Sequence, residues 1–326
     1  MSALGSDQAA ANGAVVPGVS RFAASAPIPR IRRRKPRQQY EAYLFLLPWF
    51  AGFFVLTAGP LCASLYLSFT DFDLLGTPSW IGLTNYVDLF SYDPRYLGAF
   101  GVTLVYVALG VPLQLLFALL VAMLLNQEVR WLGFFRGVYY LPSLLGSSVA
   151  VAVMWRQLFG EAGVINQVIG WFGIDAPNWI STPRYALYTL ILLHIWQFGS
   201  AMIIFLAGLK QVPRELYDAA EIDGAGRWMQ FRHVTLPMIT PVIFFNLVLG
   251  TINSFQAFTS AYIVSGGTGG PADSTLFYTL YLYQEGFKNF HMGYASAMAW
   301  VLLVVIAVVT ALNFAFSRRW VHYGDE

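Results

Sequence analysis

Six stretches of this chain, at about 42–69, 97–125, 137–156, 185–209, 237–264 and 294–316, are apolar and carry no Asp, Glu or Lys in their interiors. A bilayer core takes about 20 such residues per helix. Each stretch meets that length, so the pattern predicts an all-α integral membrane protein with six transmembrane helices. Composition agrees: 57% of the residues are hydrophobic and only 11% charged, against roughly 25% charged in a soluble domain. Prolines fall inside several stretches, at Pro48, Pro60, Pro112, Pro142 and Pro241. Neighbouring helices can satisfy a carbonyl that proline frees, so these positions predict kinks rather than breaks.

Lysine and arginine set the orientation. With the N-terminus inside, Arg21, the run Arg30–Arg37, Arg130, Arg136, Lys210, Arg214, Arg227, Arg232, Arg318 and Arg319 all face the cytoplasm. Only Arg95, Arg156, Arg184 and Lys288 face out. Cytoplasmic loops carry the excess of Lys and Arg, so both termini are expected inside. Residues 1–39 read as a basic cytoplasmic tail, rich in Ala, Gly, Ser and Pro and without hydrophobic period, hence disordered. The apolar stretch after the basic run is too long for the core of a signal peptide. Residues 40–318 form the membrane domain and 319–326 a short cytoplasmic tail.

Two shorter features lie between stretches. "TLFYTLYLY", Thr275–Tyr283, is too short to span and follows the turn-rich "SGGTGGP". Its tyrosines predict an interfacial helix after an external loop. The other feature is polar: "RELYDAAEIDGAGRWMQFRHVTLP", Arg214–Pro237, in a cytoplasmic loop spanning 210–237. Pro213 suits a helix start, with Glu215 and Asp218 in the first turn. Leu216, Ala219, Ala220 and Ile222 give a small apolar face, and Gly224 suits a helix stop. A second amphipathic stretch follows with Trp228, Phe231 and Val234. Such a helix-turn-helix either docks into a partner's groove or merely joins two spans.

Here the sequence resembles the inner-membrane permease subunits of binding-protein-dependent ABC importers. They carry a loop of pattern E-A-A, three residues, G, nine residues, I-x-L-P. This chain has Asp218-Ala219-Ala220, Gly224 and Val234-Thr235-Leu236-Pro237 at that spacing, with Asp for Glu and Val for Ile. "WIGLTNYVDLF" (80–90), "LAGLKQVPRELYDAA" (206–220), "GGP" (269–271) and "GYASAMAW" (293–300) look like the carbohydrate-uptake, maltose-type branch. Val102 stands before Thr103 where many relatives have Asn. The resemblance covers about 40–318. It implies the type I importer permease fold and a coupling helix that docks on an ATPase subunit. Glu215, Asp218, Ala219, Ala220, Asp223, Gly224, Ala225, Leu236 and Pro237 are then the coupling residues. It also implies a second permease subunit, two ATP-binding subunits and an extracytoplasmic solute-binding protein, in a bacterial or archaeal cytoplasmic membrane.

The chain's own chemistry is sparse. None of its three lysines, Lys35, Lys210 and Lys288, sits in a G-x-x-x-x-G-K-[ST] loop, so ATP and Mg are expected on a partner ATPase. No catalytic constellation is legible, and the chain is not expected to be an enzyme. Cys62 is the only cysteine, which excludes an internal disulfide. His194, His233, His291 and His322 lack ligand spacing, so no metal is expected. The basic run abuts a membrane span, which favours lipid over nucleic acid.

Polar side chains inside a membrane are costly and mark candidate pathways. The fifth stretch carries Asn246, Asn253, Ser254 and Gln256; Asn246 and Asn253 lie seven apart on one helix face, with Gln256 one turn on from Asn253. Phe255, Phe258 and Tyr262 could stack on a sugar ring, and the fourth stretch adds His194, Trp196 and Gln197. The same amides could instead hold helix pairs together, at about 0.6 kcal/mol each. Absence of intramembrane acids and lysines favours a neutral cargo, a di- or oligosaccharide. Glycerol 3-phosphate or a glycerophosphodiester is the alternative within the family. A secondary carrier is a remote alternative, since ion coupling calls for intramembrane charge.

Overall fold

A computed structural model describes residues 37–127, 132–146 and 148–321. The tail over 1–36, Arg130 and residues 322–326 with His322 lie outside the described residues. The chain divides into two units, 1–57 and 58–326. The first holds α1 (Arg37–Phe53) and opens a π-helical turn, Phe54–Ala58. Trp49 stacks on Phe53 at 5.6 Å and meets Phe50 edge-on at 5.0 Å. Large apolar side chains from Tyr43 to Leu56 are exposed, as suits a helix in lipid.

The second unit opens with α2 (Gly59–Leu67). Pro60 has no N–H to give the carbonyl four residues back, which accounts for the π turn before it. A two-residue antiparallel ladder follows, β1 (Thr70–Asp71) on β2 (Ser79–Trp80). Next come α3 (Thr84–Ser91), α4 (Pro94–Leu125), α5 (Leu132–Leu145), α6 (Val149–Leu158) and α7 (Val164–Gly170). Then α8 (Pro183–Trp196) and α9 (Gly199–Leu209) lead to the polar loop, α10 (Arg214–Ile222) and α11 (Arg227–Gln230). A π turn joins α11 to α12 (Leu236–Met238), ahead of α13 (Thr240–Phe255), α14 (Thr259–Val264), α15 (Tyr278–Tyr283) and α16 (Met292–Ser317).

Three helical runs are long and apolar enough to cross a membrane: Tyr43–Leu67, Pro94–Leu125 and Met292–Ser317. Three more qualify as bent pairs, α5 with α6 at 98°, α8 with α9 at 42°, and Arg227–Met238 with α13 at 63°. The stretches expected at 137–156, 185–209 and 237–264 are therefore broken rather than continuous. Two of the breaks have a visible local cause. Pro241 opens α13 instead of kinking it, and Ile239 takes the bend. The fifth stretch stops at Phe255, and α14 is a separate short helix. At the α8–α9 break, Gly199 lets α5 cross close by: a Cβ there would sit 2.7 Å from the Tyr139 carbonyl oxygen. Side chains then satisfy the opened carbonyls. Gln114 Nε2 donates to His194 O (3.0 Å) and Gln197 O (3.1 Å), and Ser143 Oγ donates to Gln197 O (2.9 Å).

The core is organised around α4, which packs against α8, α9, α13 and α15. Asp93 caps it by accepting from Tyr96 N at 2.9 Å, and Pro94 occupies the first turn. Its buried face runs Tyr96, Ala99, Thr103, Tyr106, Val107, Gly110, Val111, Leu115, Ala118, Leu119 and Ala122, the three-and-four spacing of one helix side. Gly110 leaves room for the His194 ring, whose Cδ2 a Cβ would meet at 3.1 Å.

The tyrosine-rich segment corrects the sequence reading. Leu276, Phe277, Tyr278 and Leu280 are fully buried, so 275–283 is core and not an interfacial helix. Tyr278 N donates to Thr103 Oγ1 (2.8 Å) and Tyr278 Oη to Met298 O (2.8 Å). Internal partners take the place that headgroups and water hold for a tyrosine at a membrane surface.

Candidate functional site: docking loop and polar cavity

The polar loop folds as a helix, a tight turn and a second helix. α10 ends in a Schellman turn: Gly224 N donates to Glu221 O (3.0 Å) and Ala225 N to Ala220 O (2.9 Å). Gly224 takes φ +77°, a left-handed conformation that glycine adopts without Cβ strain. Glu215 lies in the first turn of α10, while Asp218 falls one turn later. Tyr217 Oη and Thr235 Oγ1 share a hydrogen bond of 2.9 Å, and Gln230 Nε2 donates to Ala225 O at 3.2 Å. These bonds tie the two helices into one body.

Of the residues singled out, Glu215, Asp218, Ala219, Asp223 and Gly224 are exposed. Ala220, Ala225, Leu236 and Pro237 are half-buried at the seam. The exposed apolar side chains are the surprise. Ile222 is 87% exposed, Trp228 73% and Met229 54%. Amphipathic spacing marks Trp228 and Ile222 as face residues and does not single out Met229. A loop displaying a tryptophan beside carboxylates has the make-up of an interface anchor.

Midway along the bundle, α4, α5, α8, α9 and α13 enclose a cavity of about 250 Å³. Gln114, Ser143, His194, Gln197, Ser200, Asn246 and Asn253 supply its polar groups. So Asn246, Asn253 and Gln197 do come together, as their positions suggested. Asn246 is buried and donates to Val242 O at 3.1 Å; Gln197 Nε2 donates to Gly146 O at 2.8 Å. Ser254 lies behind the wall, buried, with its Oγ 3.3 Å from His194 Nε2. Three residues fall elsewhere. Phe255 is buried in the main core, Gln256 caps the exposed end of α13, and Trp196 packs beside Trp155 at 6.0 Å. Gln114 and Ser143 belong to the site as well, and an amide inside an apolar stretch, the signal at Asn246, also marks Gln114.

At the end opposite the loop, Asp93 Oδ2 accepts from Tyr281 Oη and Tyr294 Oη, both at 2.6 Å. Burial alone pushes this carboxyl up; the two hydroxyls and the N–H groups of Tyr96 and Arg95 outweigh it and hold Asp93 below its ordinary value. A depressed folded value stabilises the fold above the unfolded pKa and is lost as pH falls through the folded one. Thermal stability should therefore drop below about pH 4, and Asp93→Asn should flatten that limb of the Tm profile. An unchanged acid limb in Asp93→Asn would remove Asp93 as its source. Nearby, Arg95 Nε and Nη2 donate bidentately to Asp273 at 2.8 and 2.9 Å. A wider hollow of about 620 Å³ opens here, between Arg156, Glu161, Asn178, Ser181 and Thr268. Phe258, Tyr262, Tyr283 and Phe287 form a run of ring contacts at 5.3–5.4 Å.

Comparison with known proteins agrees with this geometry. Residues 89–322 match the family model described as "Binding-protein-dependent transport system inner membrane component". A probable ABC transporter permease protein, YesP of Bacillus subtilis, is 52% identical over 291 residues, covering 89% of this chain and 94% of that protein. The lactose transport system permease protein LacF of Rhizobium radiobacter is 34% identical, covering 86% and 94%. The arabinooligosaccharides transport system permease protein AraP of Bacillus subtilis is 33% identical, covering 84% and 88%. Among solved structures, a chain of a bacterial alginate ABC transporter in complex with its alginate pentasaccharide-bound periplasmic protein superposes with a TM-score of 0.73. It is 24% identical, and the match covers 87% of this chain and 96% of that one. The loop, the cavity and these likenesses converge: the chain belongs to the family of binding-protein-dependent transport system inner membrane components, the permeases of ABC transporters.

Proposed function

We propose that this permease imports an oligosaccharide across the cytoplasmic membrane by alternating access, as one of two permease subunits driven by two ATP-binding subunits. In this reading the chain spans the membrane six times with both termini in the cytoplasm. The loop 210–237 faces the ATPases, and the opposite end, with its 620 Å³ hollow, receives a solute-binding protein. ATP and Mg reside on the partner subunits, and closure of the ATPases moves α10 and α11 as one body.

One observation carries the choice of cargo. The cavity offers amides, hydroxyls and an imidazole, and among the described residues neither Lys nor Arg lines it. Amides both donate and accept, which suits sugar hydroxyls, whereas a phosphate calls for charged or clustered donors. Its 250 Å³ falls short of the roughly 300–1,000 Å³ of small-molecule sites, as expected of half a pathway completed by a second subunit. The names of LacF and AraP point to the same cargo class.

The test is ATP hydrolysis by the purified complex in lipid with its binding protein, against neutral oligosaccharides, an acidic oligosaccharide and glycerophosphodiesters. Stimulation by a neutral oligosaccharide is expected. In Asn253→Leu the sugar concentration for half-stimulation should rise about ten-fold, the scale of one lost hydrogen bond to a polar ligand. Stimulation by a phosphodiester alone would overturn the cargo and keep the machinery.

A further inference from the structure

At the loop end, α4, α5, α9 and α10 enclose a second polar pocket, of about 460 Å³. Its charged side chains are all cationic: Arg136, Lys210 and Arg214. The amides of Asn126 and Gln127 and the Tyr217 side chain add to the polar lining, and no acid joins it among the described residues. Arg136 is the telling member. Its Nε and Nη2 are both buried and neither makes a hydrogen bond. Those two nitrogens form one edge of the guanidinium, the edge with which Arg95 grips both carboxylate oxygens of Asp273. A buried donor pair without acceptor is costly. A fork of that shape fits two oxygens of a carboxylate or phosphate.

We propose that this pocket binds the phosphate of an anionic phospholipid headgroup, held bidentately by Arg136 with Lys210 adding charge. The reason to prefer a lipid lies on α4. Leu113, Leu116, Phe117, Leu120 and Leu124 are exposed at three-and-four spacing, and the next residue of that stripe is Gln127, at the pocket rim. From Leu113 to Leu124 a helix rises about 16 Å, on the scale of an acyl chain. Phosphate in the pocket and chain on the stripe would occupy one continuous surface. Basic pockets between membrane helices are a recognised setting for such headgroups. The pocket also touches Arg214 and Tyr217 of α10, so an occupant would brace the base of the docking loop.

Lipid retention tests this without depending on transport. The complex is purified in detergent, offered phosphatidylglycerol and phosphatidylcholine at equal concentration, and read by native mass spectrometry. Phosphatidylglycerol should be retained about ten-fold over phosphatidylcholine, the scale of a charge-assisted hydrogen bond to phosphate. Arg136→Gln should abolish the preference. Arg136→Lys, which keeps the charge and loses the fork, should keep part of it, as should Lys210→Gln if Arg136→Gln fails to fold. Inorganic phosphate forms the second arm. If millimolar phosphate removes the preference in wild type and itself binds in an Arg136-dependent way, the anion site stands and the lipid assignment falls. Equal retention of the two lipids, with no binding of phosphate, overturns the proposal. If Arg136→Gln keeps the lipid preference but sheds the ATP-binding subunits, the guanidinium awaits a protein carboxylate, and the proposal is again overturned.

Discussion

Gly224→Pro should leave the chain in the membrane and abolish transport-coupled ATP hydrolysis by its complex, whereas Gly224→Asn should keep most of it. The difference is conformational. Gly224 sits at φ +77°, and proline is locked near about −65°. Proline also lacks the N–H that reaches Glu221 O at 3.0 Å. Both halves of the Schellman turn then open, and α10 loses its fixed angle to α11. Asparagine visits the left-handed region at little cost, and nothing lies within 4 Å of a Cβ at this position. Side-chain bulk is therefore not the variable. Alanine, paying the left-handed penalty of about 1–2 kcal/mol, should fall between Asn and Pro, and valine below alanine.

The same logic separates docking from simple linkage. A connector would tolerate any change that kept the chain continuous. A docking body transmits force only if its two helices move together, through the Tyr217–Thr235 bond and the turn. Ala220→Asp adds a carboxylate at the half-buried seam and should release the ATPase subunits during purification while membrane insertion persists. Wild-type uptake in Gly224→Pro would sink the coupling role of Arg214–Pro237.

What the sequence could disclose follows how local each feature is. The polar loop is written in consecutive residues, from Asp218 to Pro237, and its turn depends on bonds across three and five positions. Its spacing is therefore readable along the chain. Its anchors were less so, because exposure of Ile222 and Trp228 depends on which face the bundle leaves open. The cavity draws on five helices. Asn246 and Asn253 share a face by helical period alone, but Gln114 and Ser143 join them only through the crossing of α5 at Gly199. Phe255 and Gln256 were misplaced for a related reason. At about 100° per residue the neighbours of a pathway residue point away from it, Phe255 into the core, and the helix ends at Gln256. The breaks in α8–α9 and α13–α14 carry no proline at the break itself, so hydropathy ran straight across them.

Thr275–Tyr283 shows the cost of reading residue type without partners, and it supplies the sharpest stability test. Tyr278 is fully buried, with its ring edge-on to Tyr96 at 5.5 Å and Phe100 at 6.4 Å. Tyr278→Ala should destabilise the fold by about 3–5 kcal/mol, as truncation of a large buried ring does. Tyr278→Phe keeps the ring and gives up only the hydroxyl's bonds to Met298 O and Tyr96 Oη, so about 1 kcal/mol is expected. An interfacial helix would behave otherwise, with alanine costing within about 0.5 kcal/mol as at other surface sites. Thermal melting of the purified chain in detergent distinguishes the two, and equal midpoints for Tyr278→Ala and wild type would contradict the buried placement. The loss should also reach the cavity. Phe277, next in the chain, packs on Tyr106 at 4.5 Å, and Tyr106 lies 5.3 Å from the His194 ring that lines the cavity. A void at Tyr278 frees Phe277 to shift, and Tyr106 and His194 with it. The alanine variant, assayed below its own melting point, should therefore show weaker cargo stimulation than Tyr278→Phe, which leaves that row of rings packed.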